Sequence, residues 1–330
     1  MAVYLFKRLI RVVVLLLLIS LVVFMLFSVL PTDPARLTCG KACTPAIIEA
    51  NRHRLGLDMP YIQQYWLFVR GLFVGRTYFA ESPSPIECGA PCLGYSFKRG
   101  EEVSTLIKEN FPPTFWLAIG AFILWMVIGV FTGIYAALRR SKWQDKAVSG
   151  IALVGYALPT FFVGLVFLFF IVLKWGLLPY PSYVSPFVNL TQFLQTMILP
   201  WITLAIVSAA FYVRLTRTQM LETLGSDFIR TARAKGVKER VVLMRHALRA
   251  GLTPIVTAAG LDLAGLLGGA IITEAVFTLP GLGSLAISSV NDADLPVVVG
   301  ITLVAAFFIV MANLIVDLLY PVIDPRVRLT

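Results

Sequence analysis

Six apolar runs dominate this sequence, and each is long enough to cross a lipid bilayer. They lie near residues 9–30, 114–138, 147–173, 196–216, 251–273 and 297–320. The hydrocarbon layer offers no partner for backbone N–H and C=O groups, so segments this long must satisfy themselves as helices. Only 14% of the 330 residues are charged and 58% are hydrophobic, too little polar surface for a soluble domain of this size. The chain therefore reads as an all-α membrane protein with six transmembrane helices. Its organisation is a cytoplasmic end with span one (1–30), a long polar segment (31–113), and a core carrying spans two to six (114–330).

Basic residues set the orientation. Lys7, Arg8 and Arg11 precede span one, and Arg139, Arg140, Lys142 and Lys146 separate spans two and three. Eight more lie between spans four and five, and Arg326 and Arg328 follow span six, whereas 174–195 and 274–296 hold only Lys174. The positive-inside rule then puts both termini and the loops 139–146 and 217–250 in the cytoplasm, and 31–113 outside. The run at 12–30 has no charge and no small-residue cleavage site after it, so it reads as a retained span rather than a removable signal. The net charge of +10 belongs to these flanks; it points to the bilayer and not to nucleic acid.

All four cysteines, Cys39, Cys43, Cys88 and Cys92, fall in 31–113. An outward compartment permits disulfides, and two CxxxC pairs can close locally or across to each other. A metal site is the rival reading, but no histidine adjoins the pairs.

The 217–250 loop carries the strongest pattern. Asp227 is a suitable N-cap for a helix starting at Phe228, and Gly236 a natural stop. A second short helix can start near Lys238, with Val237, Val241, Met244 and Leu248 at helical spacing. Seven basic residues and one acid occupy 230–249. Physics alone leaves two readings open: a helix pair resting on anionic headgroups, or a docking element for a cytosolic partner.

Asp262 lies mid-way along span five, where a charge usually faces a pathway or a partner, though a helix–helix hydrogen bond would also explain it. Small residues Ala264, Gly265, Gly268 and Gly269 allow close helix approach, either to a second chain or within this one. Glu274 follows span five and reads as an outward polar group before a Pro-Gly turn, a candidate for substrate contact or a solvated loop. No phosphate-cradling P-loop, zincin motif or nucleophile motif occurs, so the sequence offers no catalytic constellation of its own.

The stretch DFIRTARAKGV from Asp227, followed by RHALRAGLTP from Arg245, resembles the EAA loop of ABC importer permeases in its peptide-family form. The family's glycine matches Gly236, a small residue matches Ala232, and a proline matches Pro254. Arg230 stands where the family's glutamate would be. The N-terminal stretch ending in PTDPA, the segment LGLDMPYIQQYWLFVRGLFVG from Leu55 and TEAVFTLPGLG from Thr273 are similar to the same peptide/nickel permease family. The resemblance is interrupted near 38–44 and 77–92, where each insert carries one cysteine pair, which suggests an outward cap tied by disulfides. The resemblance implies a first-permease (B-type) chain that forms the pathway with a second permease. It implies two cytosolic ATPases that hold ATP and magnesium, and an outward peptide-binding protein; this chain carries no cofactor. Asp227, Arg230, Ala232, Arg233, Lys235, Gly236 and Val237 would form the coupling element, with Asp262 and Glu274 as pathway candidates. Di- and oligopeptides are the expected cargo, with nickel chelates or glutathione as alternatives. An ion-coupled secondary carrier is the rival class.

Overall fold

The computed structural model describes residues 2–29, 35, 44–54, 57–79 and 85–323. Five of the expected spans are unbroken helices: α1 (Ala2–Val29), α4 (Val103–Leu138), α7 (Leu190–Leu224), α9 (Glu239–Leu267) and α12 (Leu295–Ile323). Several run well past the apolar runs that announce them. In sequence order the 31–113 segment contributes α2 (Pro45–Arg54) and α3 (Tyr61–Val74). Four short strands follow, β1 (Arg76–Tyr78), β2 (Ile86–Cys88), β3 (Tyr95–Ser96) and β4 (Glu101–Glu102), paired as two antiparallel ribbons.

The run at 147–173 is not one straight span. It folds as α5 (Trp143–Ala157) and α6 (Thr160–Lys174), bent by 94° at their junction. Pro159 is the cause. Its ring disfavours helical geometry in the residue before it, and Leu158 is extended at φ −81°, ψ 127°. The segment 274–296 is likewise not a simple loop. It lies within α10 (Ile271–Phe277) and α11 (Leu282–Asn291), a second apolar pair, bent by 89°. Thr278 takes the left-handed conformation at φ 54° at this corner, and Pro280 bars helix continuation.

The centre of the bundle is α4 packed against α7. Leu117, Ala121 and Trp125 of α4 meet Phe193, Met197 and Tyr212 of α7, with Ile255 and Ala259 of α9 closing the cluster. Glycines on α4 make the approach possible. Gly120 lies under the Trp201 ring, and a Cβ at Gly129 would sit 2.5 Å from the Tyr212 Cβ and 3.2 Å from the Ala209 carbonyl oxygen. In lipid, where helices gain little from hydrophobic exclusion, this close packing is the main adhesive. Gly129→Val is therefore expected to lower the thermal stability of the detergent-solubilised chain by about 2 kcal/mol or more through overpacking. Gly150→Ala, which meets open space on α5, should leave the melt unchanged. Equal melting of the two variants would contradict the packing argument.

The same closeness operates within the chain at the end of α9. Gly268 abuts Ala305 of α12, and Gly269, at φ 128°, abuts the Gly283 backbone; only Gly265 faces open space. Most of this small-residue stripe thus serves internal packing, not a contact with another chain.

The 31–113 segment is fastened to the core at its C-terminal end. Ser96 on β3 donates to Asp294, and Arg99 donates to the Ser288 hydroxyl at 2.8 Å and pairs with Asp292 at 3.8 Å. Val103, Leu106 and Ile107 of α4 pack with Leu282, Leu285, Val297 and Ile301 beneath this contact. Burial pushes the Asp294 carboxyl above the ordinary carboxylate range, against the opposing pull of Ser96 and Arg99. Cys88 and Cys92 are bonded to each other, Cα atoms 5.5 Å apart, so the second pair closes locally. Cys39 and Cys43 lie outside the described residues.

Candidate functional site

The loop between α7 and α9 folds as one short helix, α8 (Asp227–Ala234), set on the ends of its neighbours. Ile229 anchors it. That side chain has no exposed surface and packs with Met220, Val242, Ala247 and Ala137, while Ala232 and Val237 are partly buried against the same cluster. Away from that cluster Arg230, Lys235 and, at 37%, Phe228 are exposed. One polar arc and one apolar arc follow directly from the helical spacing of Ile229 and Ala232.

Two details differ from the sequence expectation. Ser226, not Asp227, occupies the N-cap position; Asp227 is the first helical residue, exposed, with its carboxylate 3.6 Å from Arg230. It still favours the helix start by lying at the positive end of the dipole. The expected second short helix is instead the base of α9, which begins at Glu239 and continues through a widened turn at 242–247 into the membrane. α8 therefore abuts a continuous helix rather than a loose loop. Gly236 ends α8 as expected, at φ 74°. Arg233 is 43% exposed and ion-paired within the chain. It donates to both Glu239 oxygens, at 2.6 and 3.1 Å, and so clamps α8 to the start of α9 across the Gly236 turn.

Glu274 is placed where the sequence did not suggest. It is wholly buried, not on an outward surface. Its Oε1 accepts from the Thr114 hydroxyl at 2.7 Å and the Ala270 N–H at 3.3 Å, and its Oε2 from the Ser284 N–H at 3.0 Å. Thr114 in turn accepts from the Leu282 N–H at 2.8 Å. One carboxylate thereby ties α10, the start of α11 and the middle of α4 together. Gly281 and Gly283 lack the Cβ that would strike it. The residue is committed to internal hydrogen bonds and presents no surface to a substrate.

Asp262 is on the exposed side of α9, next in exposure to Leu261 and Gly265. Tyr212 of α7, itself fully buried, donates to its Oδ2 at 2.6 Å. The helix–helix hydrogen bond and the exposed position are both present: one oxygen is held from inside the bundle while the side chain borders open space.

Two family models match the chain: the inner membrane component of binding-protein-dependent transport systems over residues 129–329, and the N-terminal part of such membrane components over 1–118. The chain belongs to this family. It is the permease subunit of an ABC importer of the peptide family. The permease is 37% identical over 324 residues to a putative peptide transport system permease protein of Brucella abortus, covering 98% of each chain. It is 35% identical over 325 residues to the glutathione transport system permease GsiC of Escherichia coli, again covering 98% of each. Its fold matches a chain of the inward-facing MetNI methionine ABC transporter with a TM-score of 0.51 at 19% identity, over 67% of the permease and 97% of that chain.

One site in the permease was not foreseen. Asp145, only 3% exposed, receives Arg217 as a two-pronged ion pair, with Nη2 to Oδ2 at 2.8 Å and Nε to Oδ1, and also accepts from the Ser141 N–H at 3.0 Å. This joins the start of α5 to α7 two turns before α8. In the sequence Arg217 is one of many flanking cations and Asp145 one acid among lysines. Only the spatial crossing of α5 and α7 singles them out.

Proposed function

We propose that the permease takes up di- and oligopeptides across the inner membrane. It lines a pathway with a second permease chain, receives cargo from an extracytoplasmic binding protein and is driven by two cytosolic ATPases seated on α8. Both termini and α8 lie in the cytoplasm on this reading, as the distribution of lysine and arginine favours. The observation that carries the docking role is the build of α8: Ile229 is sunk into the ends of α4, α7 and α9 while Phe228, Arg230 and Lys235 are exposed. A helix held this way transmits force to the spans, and its outer face suits a groove lined by acidic and apolar groups. Differential contact with the two states of the ATPase pair supplies the drive for alternating access. Asp262 lines the pathway, since it combines an intramembrane charge with an exposed position on α9. Glutathione, itself a peptide, is the second cargo this reading admits, because GsiC is named for it at 35% identity.

Gly236→Pro tests the docking helix. Proline fixes φ near −65°, opposite in sign to the 74° found here, and removes the N–H that donates to the Arg233 carbonyl at 2.9 Å. ATP-driven peptide uptake in proteoliposomes should fall at least about tenfold, with insertion and spans intact, whereas Gly236→Ala, which strains the left-handed position by about 1–2 kcal/mol, should keep part of it. Uptake by Gly236→Pro equal to the unsubstituted complex would remove the coupling role from this turn.

A further inference from the structure

Helix α3 belongs to the 31–113 segment, yet it does not stand in water above the bundle. Its Tyr65 hydroxyl donates to the Leu17 carbonyl at 2.9 Å and shares a 2.8 Å hydrogen bond with the Ser20 hydroxyl, both on α1. Phe24 of α1 packs on the rings of Tyr65 and Phe68 at centroid distances of 5.6 and 6.2 Å. The apolar window of α1 runs from Arg8 to Met25. Leu17 lies about 13 Å along the helix from Arg8, deep within the hydrocarbon layer rather than above it. The body of α3 is thus held level with the end of the α1 span, its tyrosine reaching down toward the middle.

At that level the outer face of α3 is apolar. Ile62 and Phe73 are each 78% exposed and Trp66 is 65% exposed. At 100° per residue these three fall within an arc of about 40°, centred about 110° round the helix from the Tyr65–Phe68 face that grips α1. Exposed Gln63 and Arg70 border the arc on one side. An aliphatic and aromatic stripe containing tryptophan, with a basic residue at its edge, is the composition of a helix lying in a membrane interface: the stripe enters the acyl region and the guanidinium reaches the headgroups. Beside it α1 leaves Leu18 and Val22 more than half exposed along the same stretch of helix that holds α3.

We propose that α3 is a lipid-immersed interfacial helix, so that this part of the 31–113 segment anchors the permease in the leaflet on the Met25 side of α1 and is not part of an aqueous cap. Its occupant is the acyl and headgroup region of the bilayer. Among the described residues, the segment's water-facing surface then comprises α2 together with the ribbons and the disulfide-closed turn that dock on the α11–α12 corner.

The test reads Trp66 fluorescence in the full chain, reconstituted into nanodiscs of phosphatidylcholine and phosphatidylglycerol with plain or dibrominated acyl chains. The Trp66 signal is the difference between the unsubstituted chain and Trp66→Phe. Brominated chains should roughly halve that difference signal, as expected for an interfacial tryptophan, while aqueous iodide leaves it unchanged. Moving the reporter along the same arc, as Trp66→Phe with Phe73→Trp, should restore lipid quenching. Quenching by iodide instead would show a solvated surface, and protection from both quenchers would show a protein-covered one; either overturns the proposal.

Discussion

Replacing Glu274 with leucine is expected to destabilise the permease more than any other single change in the α10–α11 corner. The substitution strands the N–H groups of Ala270 and Ser284 and leaves the Thr114 hydroxyl only the Asn110 carbonyl at 3.5 Å. A buried donor left without an acceptor costs about 1–3 kcal/mol, so the combined loss is about 2 kcal/mol at the low end. The consequence is local. Without the carboxylate nothing comparable holds α10 and α11 to Thr114 of α4, and the bent pair should loosen from the bundle. Glu274→Gln keeps one acceptor oxygen but turns an NH2 toward the remaining donors, and belongs between the two extremes. Thermal unfolding of the solubilised chain, followed by loss of the monodisperse chromatographic peak, should rank unsubstituted, Gln and Leu in that order. If Leu melts with the unsubstituted chain, the hub is not holding the corner.

The Asp145–Arg217 pair should show the second large effect, and a characteristic non-additivity. Asp145→Ala leaves the Arg217 guanidinium against a buried pocket with no counter-charge, and Arg217→Ala leaves a nearly inaccessible carboxylate. Breaking a buried pair from one side costs about 3–5 kcal/mol; Arg217 retains 29% side-chain exposure, which places its stranding at the lower end. Removing both partners together, Asp145→Ala with Arg217→Ala, should cost much less than the sum of the two single losses. A double-mutant cycle on the melting free energy should therefore give a coupling well above the scatter for independent sites, about 0.5 kcal/mol. Additive single losses would mean that the two charges are held by their surroundings and not by each other. Because the pair sits between α5 and the part of α7 leading into α8, the single variants should also slow ATP-driven uptake, and the double should slow it by less than the two single effects combined.

Much of this architecture is visible in the sequence because lipid permits few alternatives. An apolar run of sufficient length must be a helix, and Gly236 after a short amphipathic stretch must end one; both are found. The bend at Pro159 was not legible for a specific reason. Pro112, Pro113, Pro200 and Pro254 all lie inside helices that continue through them, so proline by itself does not foretell a break in this chain. What separates Pro159 is the extended Leu158 before it, the conformation that a following proline favours. Glu274 misled for a related reason. An acid beside a Pro-Gly turn looks solvated, and its burial depends on a threonine 160 positions earlier. Asp145 with Arg217 repeats the lesson at a separation of 72 residues. The role of Arg233 turned on a shorter distance: its partner Glu239 is six residues on, but only the reversal at Gly236 brings them face to face.

Sidedness labelling at Lys235 bears most closely on where energy enters this permease. Lys235 is exposed at the end of α8, so Lys235→Cys should accept a membrane-impermeant maleimide, with the unsubstituted chain as blank. Inside-out vesicles should label and right-side-out vesicles should not, and co-expressed ATPase subunits should shield the site. Labelling from the outer side, or full labelling in the presence of the ATPases, would contradict a cytoplasmic α8 that seats them.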